Sequence, residues 1–142
     1  MFTYHQFSGD IEDFKGARYT GSYAGRGEGK NNPSLQDVRA GCRWNPAAKL
    51  WIPVDGLTPN DWGPLCRGIY TMQSPVDTET HGPYVIWLVP DPANDMFGRG
   101  GFGWHGDEIE HPGLASEGCI CSAPTLRKLG WGSNDHRIQV IQ

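Results

Sequence analysis

A chain of 142 residues with a formal charge of −4, 37% hydrophobic and 11% aromatic residues has the length and apolar content of one folded domain with its own core. Net acidity without any basic run excludes a phosphate-tracking nucleic-acid surface, and no stretch reaches the roughly 18–20 apolar residues that membrane insertion of a helix requires. Twenty glycines and eleven prolines disfavour long helices and favour short strands joined by turns.

The opening MFTYHQFSGD has neither a charged n-region nor an apolar h-region, so no ordinary signal peptide is expected. FTYHQF alternates and is rich in aromatic residues, which predicts a strand. ARYTGSYAG predicts a second strand, leading into the glycine-rich loop GRGEGKNNP. SLQDV reads as one helical turn. Residues 42–66, full of Trp, Pro, Asn and Asp, read as an irregular excursion. RGIYTMQ, GPYVIWLVP and GFGWHG are strand-like, and HRIQVI closes the sheet. One helix is expected near the C-terminus, with Ser122 as N-cap, Pro124 in the first turn, TLRKL following and Gly130 as terminator. The pattern as a whole is that of a mainly β sandwich or barrel with one or two short helices, a single domain over residues 1–142.

Two glycine patterns fail on context. GRGGFG matches G-x-G-x-x-G through Gly98, Gly100 and Gly103, but WHGD follows it instead of a helix, and no acidic residue stands about 20 positions on, so a dinucleotide site is excluded. GRGEGKNN lacks the first glycine of a phosphate loop, since position 24 is Ala, and carries Asn31 where Ser or Thr would hold magnesium.

The stretch ASEGCICSAP, residues 115–124, holds two of the four cysteines. A nucleophilic thiol needs a base within reach and donors for the oxyanion. His105, at the end of the strand predicted in FGWHGD, is the candidate base for Cys119. Gly118 allows close backbone approach, and the amide of Cys119 with its neighbour could face a developing oxyanion. A thiol with pKa near 8.5 is only a few per cent thiolate at pH 7, and pairing with His105 would raise that fraction. Other readings stay open. Cys is among the most often buried residue types, and Cys119 could be structural. His105, Asp107, His111, Cys119 and Cys121 could ligate zinc, although the spacings H-x-D-x3-H and C-x-C fit no common zinc signature. His81 and His111 rival His105 as base, His111 lying in the loop EIEHPG.

The block MFGRGGFGWHGD…ASEGCI resembles the signature of L,D-transpeptidase catalytic domains: a His-Gly pair, a variable loop, then Ser-x-Gly-Cys. With YAGRGEGKNNPSLQDV, GPLCRGIYTM and GPYVIWLVPDPAND it is more similar to one branch, the small cysteine peptidoglycan enzymes delivered as type VI secretion effectors. The resemblance runs from about Tyr19 to Arg127. It implies an L,D-transpeptidase-like sandwich or barrel, with Cys119 as nucleophile, His105 as its base, and Ser116 and Gly118 shaping the loop and oxyanion site. The enzyme would attack the peptide carbonyl beside meso-diaminopimelate in a stem tetrapeptide, expel D-Ala and form a thioester. Water as acceptor gives carboxypeptidase activity, another stem gives a crosslink, and a free D-amino acid gives exchange. No metal or cofactor enters. The implied partners are peptidoglycan stem peptides and, for a delivered toxin, a cognate immunity protein. The implied state is a monomer made in the cytoplasm and delivered to a target cell's periplasm by a secretion system or phage.

There are departures. Housekeeping members usually carry His at the place of Glu117 and Arg at the place of Cys121, which leaves the balance of hydrolysis and transfer open. Either a backbone carbonyl or a carboxylate could orient His105. Arg99 is a candidate ligand for a stem carboxylate, or a solvated turn residue. Tyr23, Lys30 and Asn31 line the cleft or fix a turn, and Asp107, after the His-Gly pair, is a candidate acceptor of hydrogen bonds from the loop. Residues 42–66 look like an insertion relative to that branch: a lid, a glycan platform or an immunity epitope. Cys42 and Cys66 at its ends are expected to form a disulfide under oxidising conditions, worth on the order of 3 kcal/mol, the alternative being two buried thiols. Readings from other classes are a catalytically silent peptidoglycan-binding or virion-associated module, and a cysteine peptidase or amidase with a protein substrate.

Overall fold

The computed structural model describes residues 1–37, 42–53, 63–116 and 118–142, and of residues 42–44 and 50–53 only the backbone. In chain order the strands are β1 (Phe2–His5), β2 (Ile11–Glu12), β3 (Arg18–Tyr19), β4 (Tyr23–Ala24), β5 (Cys42–Asn45), β6 (Leu50–Pro53), β7 (Gly68–Met72), β8 (Val76–Thr78), β9 (Gly82–Pro90), β10 (Gly103–His105), β11 (Ile120–Cys121) and β12 (Arg137–Ile141). The helix α1 (Pro124–Gly132) lies between β11 and β12, and single 3-10 turns occupy Gly27–Gly29 and Pro33–Leu35. Among the described residues the fold is mainly β with one short helix, as the composition and turn pattern predict.

Alternation builds the sheet. In β1, Phe2 and Tyr4 are buried while Thr3 and His5 are only partly so, and β12 buries Ile138 and Val140 in the same rhythm. The main sheet runs β3-β2-β1-β12-β7-β9-β10-β11-β4, with β8 alongside β9. Its pairings are antiparallel except β1 with β12 and β10 with β11. Eight strand steps laid flat would span about 38 Å at about 4.8 Å each. Yet the end strands β3 and β4 are joined by residues 20–22 alone, a tether that reaches about 14 Å at most. The sheet must therefore roll back on itself. It closes around one cluster that includes Phe2, Tyr4, Tyr70, Ile86, Trp104 and Ile120.

The predicted strand ARYTGSYAG is thus two short strands at opposite ends of the sheet, broken where Gly21 takes φ +89°. The turn predicted in SLQDV is the 3-10 turn Pro33–Leu35, started by the Asn32 side chain accepting from Ser34 N at 3.1 Å. The excursion at 42–66 is more regular than its composition suggests, since β5 and β6 pair as an antiparallel hairpin with Trp44 opposite Trp51; residues 54–62 lie outside the described ones. The expected Cys42–Cys66 bridge is not formed. Cys66 is a fully buried thiol facing the carbonyls of Gln36 at 3.5 Å and Met96 at 3.7 Å, with Arg99 beside it at 3.6 Å. The side chain of Cys42 lies outside the described residues.

The helix differs from expectation at both ends. Its N-cap is Ala123, not Ser122, because the Ser122 hydroxyl accepts the Trp104 indole N–H at 2.6 Å. Gly130 does not terminate it, since the helix runs on to Gly132. A Cβ at Gly130 would come within 2.6 Å of Trp104 Cζ3, so glycine there permits close packing on the indole. Arg127 faces inward and is 2% exposed. Its guanidinium donates to Tyr84 O at 2.9 Å, Pro83 O at 3.2 Å and Ser122 O, tying the helix to the start of β9 and the end of β11.

Removing this buried cation strands three carbonyls. Arg127→Ala is expected to cost about 3 kcal/mol in urea denaturation, whereas Lys128→Ala, on the exposed side of the same helix, should stay within about 0.5 kcal/mol.

Candidate active site

β10 and β11 pair in parallel with Trp104 opposite Ile120 and His105 opposite Cys121. Side chains alternate across a strand, so Trp104 and Ile120 enter the core, and His105 and Cys121 share the other face; Cys119, just before β11, belongs to the buried cluster with Phe102, Trp104 and Ile120. Gly103, level with Cys119, contributes only backbone, and its N–H donates to Cys119 Sγ at 3.3 Å. A Cβ at Gly103 would lie 2.9 Å from the Trp87 ring.

The turn leading to Cys119 is held by Ser116, which is fully buried. Its hydroxyl accepts from Gly25 N and Gly118 N, both at 3.0 Å, and donates to Cys119 O at 2.6 Å. That fills its bonding capacity. Gly118 takes φ +136°, and a Cβ there would meet Phe102 at 2.5 Å and Arg99 at 2.6 Å. Both residues hold the turn, and the Gly118 N–H is engaged by the Ser116 hydroxyl.

His105 is 2% exposed. Its Nδ1 lies 2.7 Å from the Gly106 carbonyl. A carbonyl only accepts, so Nδ1 carries the proton and Nε2 the lone pair. The orienting group left open by the sequence is therefore a backbone carbonyl. Burial holds the imidazole below the ordinary histidine range; the Gly106 bond and Asp107 oppose the shift, while His81 and Arg127 add to it. Cys121 Sγ lies 3.7 Å from Nδ1 and 3.9 Å from Nε2. Being nearly equidistant, the sulfur sits off the in-plane direction of either nitrogen and leaves the Nε2 lone pair uncommitted to it. Burial pushes the Cys121 thiol up to about 12 and raises that of Cys66.

His105 and Cys119 line one open cleft of about 730 Å³, together with His81, Arg26, Arg99 and Asp107. Cys119 is 8% exposed, against 1% for Cys121 and 0% for Cys66. Of the rival bases, His81 stands on the cleft wall with its ring edge-on to His105, centroids 5.0 Å apart, whereas His111 is exposed and outside the lining.

The remaining candidates serve mainly as ties. Arg99 is 5% exposed, not a solvated turn residue. It donates to Gln36 O, to Pro64 O at 2.8 Å and to Gly63 O at 2.8 Å, and lies over the Phe102 ring. Those donors hold backbone and are not presented to a substrate carboxylate. Asn31, at φ +50°, accepts from Tyr4 Oη at 2.9 Å and Ala24 N at 3.0 Å, which makes it a half-buried turn residue. Tyr23 donates to Asp107 Oδ1 at 2.6 Å and accepts from Ala115 N at 3.1 Å. Asp107 also accepts from Glu108 N at 2.8 Å and Gly113 N at 3.0 Å, so one carboxylate organises the loop that walls the cleft. Lys30 lies with Nζ 4.4 Å from the Tyr23 ring centre. Among the described residues no three His, Cys, Asp or Glu side chains converge to hold a metal. Sequence reasoning missed Arg127 and the Gly106 carbonyl; no local pattern marks a main-chain acceptor or the strand ends an arginine will span.

No family model, curated protein or solved structure matches the chain.

The three described thiols should separate in reactivity. Iodoacetamide on the native protein near pH 7.5 is expected, among these three, to modify Cys119 alone by peptide mapping, with Cys66 and Cys121 modified only after unfolding.

Proposed function

We propose that the chain is a cysteine acyl-transfer enzyme that removes or exchanges the terminal D-Ala of peptidoglycan stem tetrapeptides through a thioester on Cys119. The observation that carries the chemistry is a thiol and a buried, neutral imidazole opening on one cleft, the imidazole held by Gly106 O with its basic nitrogen away from that anchor. The substrate class, and delivery to the periplasm of a target cell, rest on the sequence resemblance.

Cys119 Sγ transfers its proton to His105 Nε2 and attacks the peptide carbonyl beside meso-diaminopimelate. The Gly103 N–H stabilises negative charge on the sulfur before attack. Collapse of the tetrahedral intermediate breaks the C–N bond, and the leaving amine takes the proton from Nε2. At rest the imidazole lies level with Cys121, so engaging Cys119 requires a side-chain adjustment of the kind resting enzymes commonly make on binding substrate. That same offset favours the second reading, a silent binding module on this fold. Catalysis decides between them.

Incubation with a disaccharide-tetrapeptide, followed by mass spectrometry, is expected to give the tripeptide and released D-Ala. Cys119→Ala should abolish the conversion with the fold intact, while Cys121→Ala keeps most of it. A Cys119→Ala protein that keeps half the rate would remove Cys119 from the mechanism.

The pH dependence follows from the His105 shift. A base works unprotonated, and burial lowers the pKa, so the acid limb of kcat/KM should fall below about 6.5, the ordinary imidazole value. An acid limb at or above that value would assign the base to another group.

A further inference from the structure

We infer that His81 is a second catalytic residue of the cleft, the proton-transfer group for the amine partners of the reaction, working beside His105. The inference rests on the acyl-transfer reading above.

His81 lies in the turn that enters β9 and lines the cleft with His105 and Cys119. Its ring is built in. It stands edge-on to His105 at 5.0 Å and 65°, and edge-on to Trp87 at 5.3 Å and 76°, while its backbone N–H donates to Thr78 Oγ1 at 2.9 Å. Trp87 pairs with Gly103 across β9 and β10, so the strand pairing that places His105 also places the indole supporting His81.

The two imidazoles have different partners. The Gly106 carbonyl accepts only and fixes His105 in one tautomer. The Thr80 hydroxyl, 2.8 Å from His81 Nδ1, can donate or accept and permits either tautomer. His105 is buried, whereas His81 is half-buried and reaches solvent. A fixed, buried ring suits a base dedicated to the nucleophile. A ring that can carry its proton on either nitrogen, with access to water, suits proton exchange.

The chemistry calls for such a group only when an amine is involved. An acceptor amine with pKa of about 8 or above enters as an ammonium ion without a lone pair. One N–H proton must pass to His81. The freed lone pair then attacks the thioester carbon, the C–N bond forms and the C–S bond breaks. The second N–H proton passes through His105 to the Cys119 sulfur, and His81 returns its proton to water. In the forward direction the leaving amine takes one proton from His105 and one from protonated His81. Water as acceptor loses a single proton, for which His105 suffices. Besides His81, the titratable and charged groups that act on His105 are Asp107 and Arg127, with the Cys121 thiol beside its ring, and Arg26, Arg99, Glu108, Glu110 and Cys119 line the same cleft; all are retained in a His81 variant.

The full chain is tested with a tetrapeptide muropeptide and a free D-amino acid, thioester being followed by intact mass and the hydrolysis and exchange products by chromatography. In His81→Gln and His81→Ala the ratio of exchange to hydrolysis at pH 7 is expected to fall at least about tenfold; the ratio compares two fates of one thioester, so slower thioester formation in the variant does not alter it. The ratio should return toward the wild-type value as the pH approaches the acceptor amine's own pKa, where unprotonated amine needs no His81. An unchanged ratio at pH 7 overturns the inference, as does a loss that high pH does not restore, or a wild-type protein that hydrolyses its thioester and transfers nothing to the amine. A wild-type protein that forms no thioester overturns the acyl-transfer reading itself, and this inference with it.

Discussion

Parallel pairing of β10 with β11, Trp104 opposite Ile120 and His105 opposite Cys121, fixes which side chains meet at the cleft. A slip of one residue would turn His105 into the core and Trp104 out of it. Strands of three and two residues do not hold a register alone. This one is pinned at each end. On the entry side the Ser116 hydroxyl grips Gly118 N and Cys119 O. On the exit side Ser122 N donates to His105 O at 3.0 Å, Ser122 Oγ receives the Trp104 indole, and Arg127 reaches Ser122 O. The core face is locked by Gly130 against the same indole. The position of Cys119 opposite Gly103 is thus a consequence of core packing on the far side of the sheet.

Two buried guanidiniums carry the walls of the cleft. Arg99 gathers the carbonyls of residues 36, 63 and 64, and Arg127 those of residues 83, 84 and 122. A planar fork with five donors can satisfy several main-chain acceptors at once, and these hydrogen bonds offset the desolvation of the charge. Carbonyls are what irregular loops have in excess, because no sheet or helix takes them up. A chain with this much glycine and proline therefore gains order from arginines used inside.

The sequence made the long strands readable and the short ones not. Regions β1, β7, β9 and β12 show alternation or a continuous apolar run long enough to recognise. By contrast β2, β8 and β11 are two or three residues long, and no periodic pattern exists over such a span. The hairpin of β5 and β6 was hidden by its proline- and tryptophan-rich setting. Ser122 and Gly130 were assigned helix-capping roles that local rules favour, and tertiary contacts with Trp104 took both residues instead. At the site, motif spacing located Cys119, His105, Ser116, Gly118 and Asp107 in one region, and the structure brings them there. The duties of Arg99 and Asn31 were not legible, since each depends on which distant carbonyls or amides the topology delivers.

The C-x-C spacing gives two neighbouring thiols opposite prospects. Cys121 is level with His105 and is enclosed by that ring and by Tyr23. Desolvation keeps it a neutral thiol, so it adds no charge beside the imidazole. A cation there would join Arg127 in opposing protonation of His105, and an anion would favour it. Cys119, just before β11, gains a backbone N–H donor from Gly103 and an opening to the cleft. A donor to sulfur stabilises thiolate over thiol, and access to the cleft limits its desolvation. Two chemically identical side chains thus meet different surroundings, one enclosed beside the imidazole and one at the cleft with a backbone donor.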